Sequence, residues 1–203
     1  LHGYLELLKV WKNLNRERVL RTFLMAFFFY IMGVQTVMFM AASFGEKVIG
    51  LGMKQLLITV LILEYIGILG AFLFAGLSKR WGNLKALTLA VIVWIGICIG
   101  AYFIQTPMQF YATGVFIGLV MGGIQSLSRS TYAKLLPQDT PDTASYFSFY
   151  DVMDKVSTVV GTFTFGFVEQ ITGGMRNSVI SLAVFFVISL VVMSVVKVRR
   201  MPG

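Results

Sequence analysis

Apolar residues in this chain fall in long blocks separated by short polar connections. Six blocks stand out, at about Arg18–Ser43, Gln55–Leu77, Leu84–Ile104, Met108–Leu127, Tyr146–Ile171 and Ser178–Val196. Two stretches within them, Ala86–Ile104 and Val179–Val196, carry no charge at all. A helix needs about 20 residues to cross the hydrocarbon core of a bilayer. Backbone polar groups find no water there, so a lone apolar block of this length satisfies them only as a helix. The pattern predicts an all-α polytopic membrane protein with six transmembrane helices in one domain over residues 16–200. The connections read as a loop at Gly45–Lys54, a tight turn around Pro107, a polar link at Pro137–Thr143 and a Gly-Gly turn at Gly173–Asn177. Residues 1–15 set Leu5, Leu8, Trp11 and Leu14 against Lys9, Lys12 and Arg16. This is the spacing of an amphipathic cytoplasmic connector, able to lie on the membrane surface.

Composition narrows the class. Of 203 residues, 57% are hydrophobic and 13% charged, whereas soluble domains hold about 45–50% apolar and about 25% charged residues. A soluble enzyme, a disordered tail and a disulfide scaffold are excluded. Cys98 is the only cysteine and His2 the only histidine, so neither an internal disulfide nor a histidine metal cluster is expected. No phosphate loop and no nucleophile beside a base is present, so neither an enzyme nor a cofactor is expected. The net charge of +8 does not point to nucleic acid, because the basic residues collect at the ends of apolar blocks. Thirteen of the 17 lysines and arginines fall on one side of the six-span topology; Lys47, Lys54 and Arg176 fall on the other, and Lys155 lies within a span. The basic side is the cytoplasmic one, which places both termini in the cytoplasm.

Ionisable groups inside spans are costly and are functional candidates by default. Glu64 sits mid-span with no base within a helical turn, on a face shared with Gly67, Ala71 and Ala75, and is expected to point towards protein. It is either a proton carrier that loads and unloads as the bundle changes shape, or a neutral acid making one structural hydrogen bond. Asp151, Asp154 and Lys155 open the fifth span. Asp151 and Lys155 have helical ion-pair spacing, and Thr158, Thr162 and Glu169 continue a polar stripe suited to a water-filled path. In the fourth span Gln125, Ser128, Arg129 and Tyr132 are read as one face, with Arg129 either neutralising Asp154 or snorkelling to the interface. Tyr30, Gln35 and Thr36 are the strong polar groups of the first span; they contact a substrate or bond a neighbouring helix. Gly114, Gly118 and Gly122 recur every four residues, and Gly67, Ala71 and Ala75 do likewise. Small residues at this spacing let membrane helices approach closely.

Two stretches carry a resemblance. Ala75-Gly76-Leu77-Ser78-Lys79-Arg80-Trp81-Gly82-Asn83-Leu84-Lys85 resembles the Gly-x-x-x-Asp-Arg-x-Gly-basic gating loop of the major facilitator superfamily. Arg80, Gly82 and Lys85 fit it; Lys79 and Ala75 depart from its Asp and first Gly. Gly122–Ser130 followed by Tyr146–Val152 and Lys155, with Tyr30–Thr36, is similar to the vacuolar-effluxer branch, which includes autophagy-related amino-acid effluxers and bacterial relatives. The resemblance implies the C-terminal six-helix half of a twelve-helix carrier, an inverted three-plus-three repeat whose boundary falls near Thr106-Pro107. The first and fourth spans would face substrate, flanked by the second and fifth. The implied function is secondary active transport of a small solute, amino acids being the class the resemblance brings, by alternating access with proton or ion coupling. The implied partners are the lipid bilayer, the small-molecule substrate, and an N-terminal half or a second copy of the chain. The expected location is a bacterial inner membrane. Tyr30, Gln35, Glu64, Gln125, Arg129, Asp151, Asp154 and Lys155 are the candidate pathway residues. A six-helix interaction or scaffold protein, or a homodimeric half-transporter, is the alternative.

Overall fold

The computed structural model describes residues 10–12, 14, 17–137 and 143–195. Within them the chain forms six long α-helices: α1 (Arg18–Ile49), α2 (Met53–Trp81), α3 (Asn83–Tyr102), α4 (Pro107–Leu135), α5 (Thr143–Thr172) and α6 (Met175–Val195). Most of the expected connector 1–15 lies outside the described residues. Of its described part, Val10 and Leu14 are buried, whereas Trp11 is exposed and its ring lies 6.1 Å from that of Phe149.

At their C-terminal ends α1, α2 and α4 overrun the apolar blocks, because helix stop signals, not the end of hydrophobicity, terminate them. The expected loop at Gly45–Lys54 shrinks to Gly50–Gly52: α1 continues through Glu46 and Lys47 to Ile49 and is stopped by Gly50, whose left-handed backbone (φ 77°) suits the residue without a Cβ. In the same way α4 runs past Leu127 to Leu135, just before Pro137. At its start Thr106 and Gln109 form a reciprocal capping box. Thr106 Oγ1 accepts from the Gln109 N–H at 3.3 Å, and Gln109 Oε1 accepts from the Thr106 N–H at 3.2 Å, with Pro107 in the first turn.

Five helices are long and apolar enough to cross a membrane: α1, α2, α3, α4 and α6. The sixth, α5, has the length but carries Asp151, Asp154, Lys155 and Glu169. Its Thr158 and Thr162 hydroxyls donate back to the carbonyls of Asp154 and Thr158, both at 2.8 Å, so these groups are satisfied by their own helix rather than left open to a path. The described residues form an all-α polytopic bundle.

Packing follows a repeated plan. α2 lies against α4, α1 against α5 and α6, α3 against α4 and α6, and α1 touches α4. Exchanging α1 with α4, α2 with α5 and α3 with α6 maps this pattern onto itself, apart from a marginal contact of α1 with α2. The buried centre holds Trp94 of α3 stacked on Phe186 of α6, with centroids 5.6 Å apart and planes 12° apart. The ring of Phe186 fills the space beside Gly33 of α1. Ser189 of α6 donates to the Ala26 carbonyl of α1 at 2.9 Å.

The α2–α4 seam is a backbone contact. A Cβ on Gly118 would lie 2.9 Å from the Leu63 carbonyl oxygen; one on Gly122 would meet the Gly67 carbonyl, and one on Gly70 the Leu119 carbonyl. Gly118 and Gly122 thus do what their four-residue spacing predicts, whereas a Cβ on Gly114 would meet only the Thr59 methyl group at 3.5 Å, an ordinary contact. On α2 the seam uses Thr59, Leu63, Gly70 and Phe74, with Gly67 and Ala71 at its edge; Ala75 is exposed and takes no part.

Candidate functional site

Four helices, α1, α2, α4 and α5, line one concave polar surface. Its larger part, about 1040 Å³, lies between α1, α4 and α5 and includes Gln35, Gln125, Arg129, Asp151, Asp154 and Lys155. An adjoining part of about 450 Å³ lies between α1, α2 and α4 and includes Glu64, Gly67, Ala71 and Gly122. Gln125 and Ser126 belong to both, so the two parts are continuous. No residue of α3 or α6 lines either part.

The central contact joins α1 to α5. Gln35 Nε2 donates to Asp154 Oδ1 at 3.1 Å, and Lys155 Nζ stands 3.6 Å from Asp154 Oδ2. The Asp154 side chain is only 19% exposed, against 82% for Lys155. A carboxylate this withdrawn from water needs its partners, because unpaired burial of charge is costly. The structure corrects two sequence expectations here. Arg129 pairs with Asp151, not Asp154, at 2.8 Å between Nη2 and Oδ1. Asp151 consequently pairs with Arg129 across helices rather than with Lys155 along its own. The reason is level: Asp151 lies one turn nearer the end of α5, opposite the exposed end of α4, whereas Asp154 is turned towards α1. With side chains 62% and 58% exposed, the Arg129–Asp151 pair contributes about 0.2–1 kcal/mol at most.

Beneath the groove is an aromatic floor. Tyr150 packs on Phe27 at 4.3 Å and Tyr132 at 4.9 Å, and the Arg129 guanidinium stands 5.8 Å above the Tyr150 ring. Tyr30 is fully buried, its hydroxyl 2.6 Å from Ser128 Oγ, and Tyr132 donates to the Tyr146 carbonyl at 2.7 Å. Tyr30 therefore bonds a neighbouring helix, one of its two expected roles. Ser128 and Tyr132 do not share a face with Gln125 and Arg129: the first two are buried struts and the second two are exposed to the groove. Thr36 is buried beside Gly161 and its hydroxyl has no partner among the described residues.

Glu64 differs from expectation in direction. It is exposed and lies one position off the packed face of α2, on the rim of the groove rather than against protein. The packed side is defined by the glycine contacts, so the acid is left beside the seam. Among the described residues neither Glu64 nor Gln125 has a hydrogen-bond partner. The two acids nonetheless hold matching positions: Glu64 is the twelfth residue of α2 and Asp154 the twelfth of α5. Gln35 on α1 and Gln125 on α4 match to within one residue by the same measure.

The gating-loop candidates lie at the turn between α2 and α3. Arg80 and Lys85 are exposed and make no hydrogen bond or ion pair among the described residues. Gly82 makes the turn with φ 86°. The residue that ties this turn to the bundle is Asn83, which the sequence reading quoted without a role. Its Nδ2 donates to Ser130 Oγ at 3.1 Å, while its Oδ1 accepts from Ser78 and from Lys134 Nζ at 3.3 Å. An amide directly after a turn glycine, at the start of an otherwise apolar helix, was the available signal.

An apolar helical bundle whose polar residues gather on one concave face defines a polytopic membrane protein built around that face. A family described as vacuole effluxer Atg22 like matches residues 1–201, and the chain belongs to it. It is 30% identical to the uncharacterised MFS-type transporter YxiO of Bacillus subtilis over 196 residues, covering 97% of this chain and 45% of that protein. It is 30% identical to autophagy-related protein 22-1 of Aspergillus niger, covering 94% of this chain and 34% of that protein. Autophagy-related protein 22 of Saccharomyces cerevisiae is 23% identical, with 98% of this chain and 39% of that protein covered. The chain thus spans less than half the length of these relatives. The family is one of transporters, not an enzyme class.

Proposed function

We propose that this chain is the C-terminal, six-span half of a secondary active transporter, and that the concave groove is one wall of its substrate path. The observation that carries this reading is the groove itself: four helices supply it, two do not, and its polar residues come from both triplets of helices. The exchange-symmetric packing supports an inverted three-plus-three repeat, the arrangement in which carriers bind near the midplane and rock between two openings. Asp154 with Gln35, and Glu64 with Gln125, are the groups offered for proton or ion coupling. The solute is small; amino acids enter only through the effluxer relatives. The basic bias of the helix ends supports cytoplasmic termini, and the B. subtilis relative supports a bacterial inner membrane.

The first test is the intact mass of the polypeptide extracted from its native membrane. A mass about twice 22.6 kDa fits a twelve-helix carrier; a mass near 22.6 kDa points to a homodimeric half-transporter or a six-helix scaffold. The second is pH-driven uptake by the complete protein. Glu64→Gln is expected to abolish the dependence of uptake on the proton gradient, and unchanged coupling removes Glu64 from the mechanism.

A further inference from the structure

We propose that the chain carries two alternating latches: Gln125 of α4 closes on Glu64 of α2 when Gln35 of α1 releases Asp154 of α5. The inference rests on the carrier reading above. Its basis is register. A Cβ on Gly161 of α5 would strike the Met32 carbonyl and the Thr36 hydroxyl of α1. Gly161 is seven residues after Asp154, and Met32 is three before Gln35. At the other seam a Cβ on Gly122 of α4 would lie 3.1 Å from the Ala71 nitrogen of α2. Ala71 is seven residues after Glu64, and Gly122 is three before Gln125. In both seams the close approach thus falls three residues before the amide and seven after the acid. Gln35 Nε2 spans this offset to donate to Asp154 Oδ1 at 3.1 Å. The bond from Gln125 to Glu64 needs no longer a reach, and glutamate is a methylene longer than aspartate, so the glycine seam need not part for it to form.

Only one pair is bonded in this arrangement. Among the described residues Glu64 and Gln125 have no hydrogen-bond partner, although both line the same part of the groove, about 450 Å³ in volume. A carrier rocks one set of helices against the other to change its opening. Exchanging α1 with α4 and α2 with α5 maps the packing plan onto itself. The arrangement open to the opposite side is therefore the one in which the two seams trade contacts. Each arrangement then holds one charge-assisted amide–carboxylate bond, which is stronger than a neutral one, and neither is favoured by the whole of that bond. Lys155 tips the balance: its Nζ stands 3.6 Å from Asp154 Oδ2, whereas the residue after Glu64 is Tyr65. The arrangement seen is the one with the extra ammonium. An apolar cleft of about 420 Å³ on another side, walled by Leu24, Phe28, Phe29, Phe149 and Met153, includes neither pair, so both latches act on the one groove.

The test uses the complete native chain in membranes, with Ser126→Cys as the reporter and its other cysteines replaced. Ser126 lines both parts of the groove, and a membrane-impermeant maleimide added to one side or the other reads the ratio of the two openings. Gln35→Ala and Gln125→Ala are expected to move that ratio in opposite directions, each by about two- to tenfold, the worth of one hydrogen bond. The double variant is expected to return it close to the native value. Gln125→Glu sets two acids against each other and is expected to move the ratio as Gln125→Ala does. Adding Glu64→Gln rebuilds the pair with its members exchanged and is expected to restore the ratio. Folding is read separately from the thermal midpoint in detergent, and the exchanged pair keeps the test open where an alanine variant unfolds. Labelling from both sides with a ratio that Gln125→Ala and Gln125→Glu leave unmoved, or that Gln35→Ala and Gln125→Ala move the same way, overturns the latch alone. Labelling from one side only in every form overturns the carrier reading and the latch with it.

Discussion

Between α2 and α4 the backbones themselves touch; between α1 and α5 side chains make the contact. The two seams occupy equivalent places in the packing plan, since exchanging α1 with α4 and α2 with α5 converts one into the other. Gly70, Gly118 and Gly122 line the first and leave no room for a Cβ, and the Gly67 backbone is what a Cβ on Gly122 would strike. At the second, Phe27 meets Tyr150 and Gln35 donates to Asp154, with Gly161 the one close backbone approach, against Met32 and Thr36. The difference has a chemical consequence. Where side chains bridge the seam, the carboxylate is drawn inward and bonded. Where backbones meet, the carboxylate at the matching position, Glu64, is pushed to the rim near Gln125, and neither has a hydrogen-bond partner among the described residues. One packing slot thus presents two states of the same acid–amide pair.

That contrast can be broken from either side. The largest effect is expected at the glycine seam. Gly122→Leu places a side chain on the Gly67 backbone, which cannot move aside without separating the helices, so the penalty reaches or exceeds the about 1–3 kcal/mol usual for overpacking. Thermal unfolding in detergent should show a large fall in midpoint, while Gly166→Ala, with nothing within 4 Å of a new Cβ, should be neutral or stabilising. An unchanged midpoint for Gly122→Leu would mean that the seam is not backbone to backbone. Next comes the bonded pair. Asp154→Ala in the complete protein is expected to lower transport at least about tenfold, or about 1.4 kcal/mol in barrier, with little change in unfolding. Asp154→Asn, which still accepts from Gln35, should fall between. Equal activity of all three forms would confine Asp154 to structure.

Smaller effects sharpen the picture beneath the groove. Tyr30→Phe removes a buried hydroxyl and leaves Ser128 bonded to the Ile124 carbonyl, so a loss of about 1 kcal/mol is expected. Smallest is the exposed pair. Arg129→Gln and Asp151→Asn should each cost less than about 1 kcal/mol and lose that effect at high salt. A double-mutant cycle should find coupling between Arg129 and Asp151 and none between Arg129 and Asp154.

Much of the site was legible one residue at a time and illegible in pairs. Gln35, Gln125, Arg129, Asp151, Asp154 and Lys155 announce themselves because polar groups within or bordering apolar blocks are rare, and all six line the groove. Their partners did not follow from spacing. The choice of Asp151 over Asp154 for Arg129 depends on how α4 and α5 are staggered, and helical periodicity says nothing about stagger between helices. Glu64 was assigned the wrong side because its face also carries Ala71 and Ala75; the seam turned out to centre on Gly70 and Phe74, a small rotation away. Asn83 was missed because its partners, Ser130 and Lys134, are distant in sequence.

By itself the sequence determined that this chain is an all-α membrane protein, where its helices run to within a few residues, that small residues on α4 let another helix approach, and which family motifs it carries. These follow from local quantities: hydrocarbon length, helical periodicity, backbone freedom and the cost of a charge in an apolar block. Only the tertiary structure decided that the polar residues of four helices form one continuous concavity, that among the described residues one acid is bonded and its counterpart is not, and that a second, apolar cleft lies on another side. Those depend on the relative rotation and level of packed helices, which are set by the sum of many contacts between residues far apart in the chain.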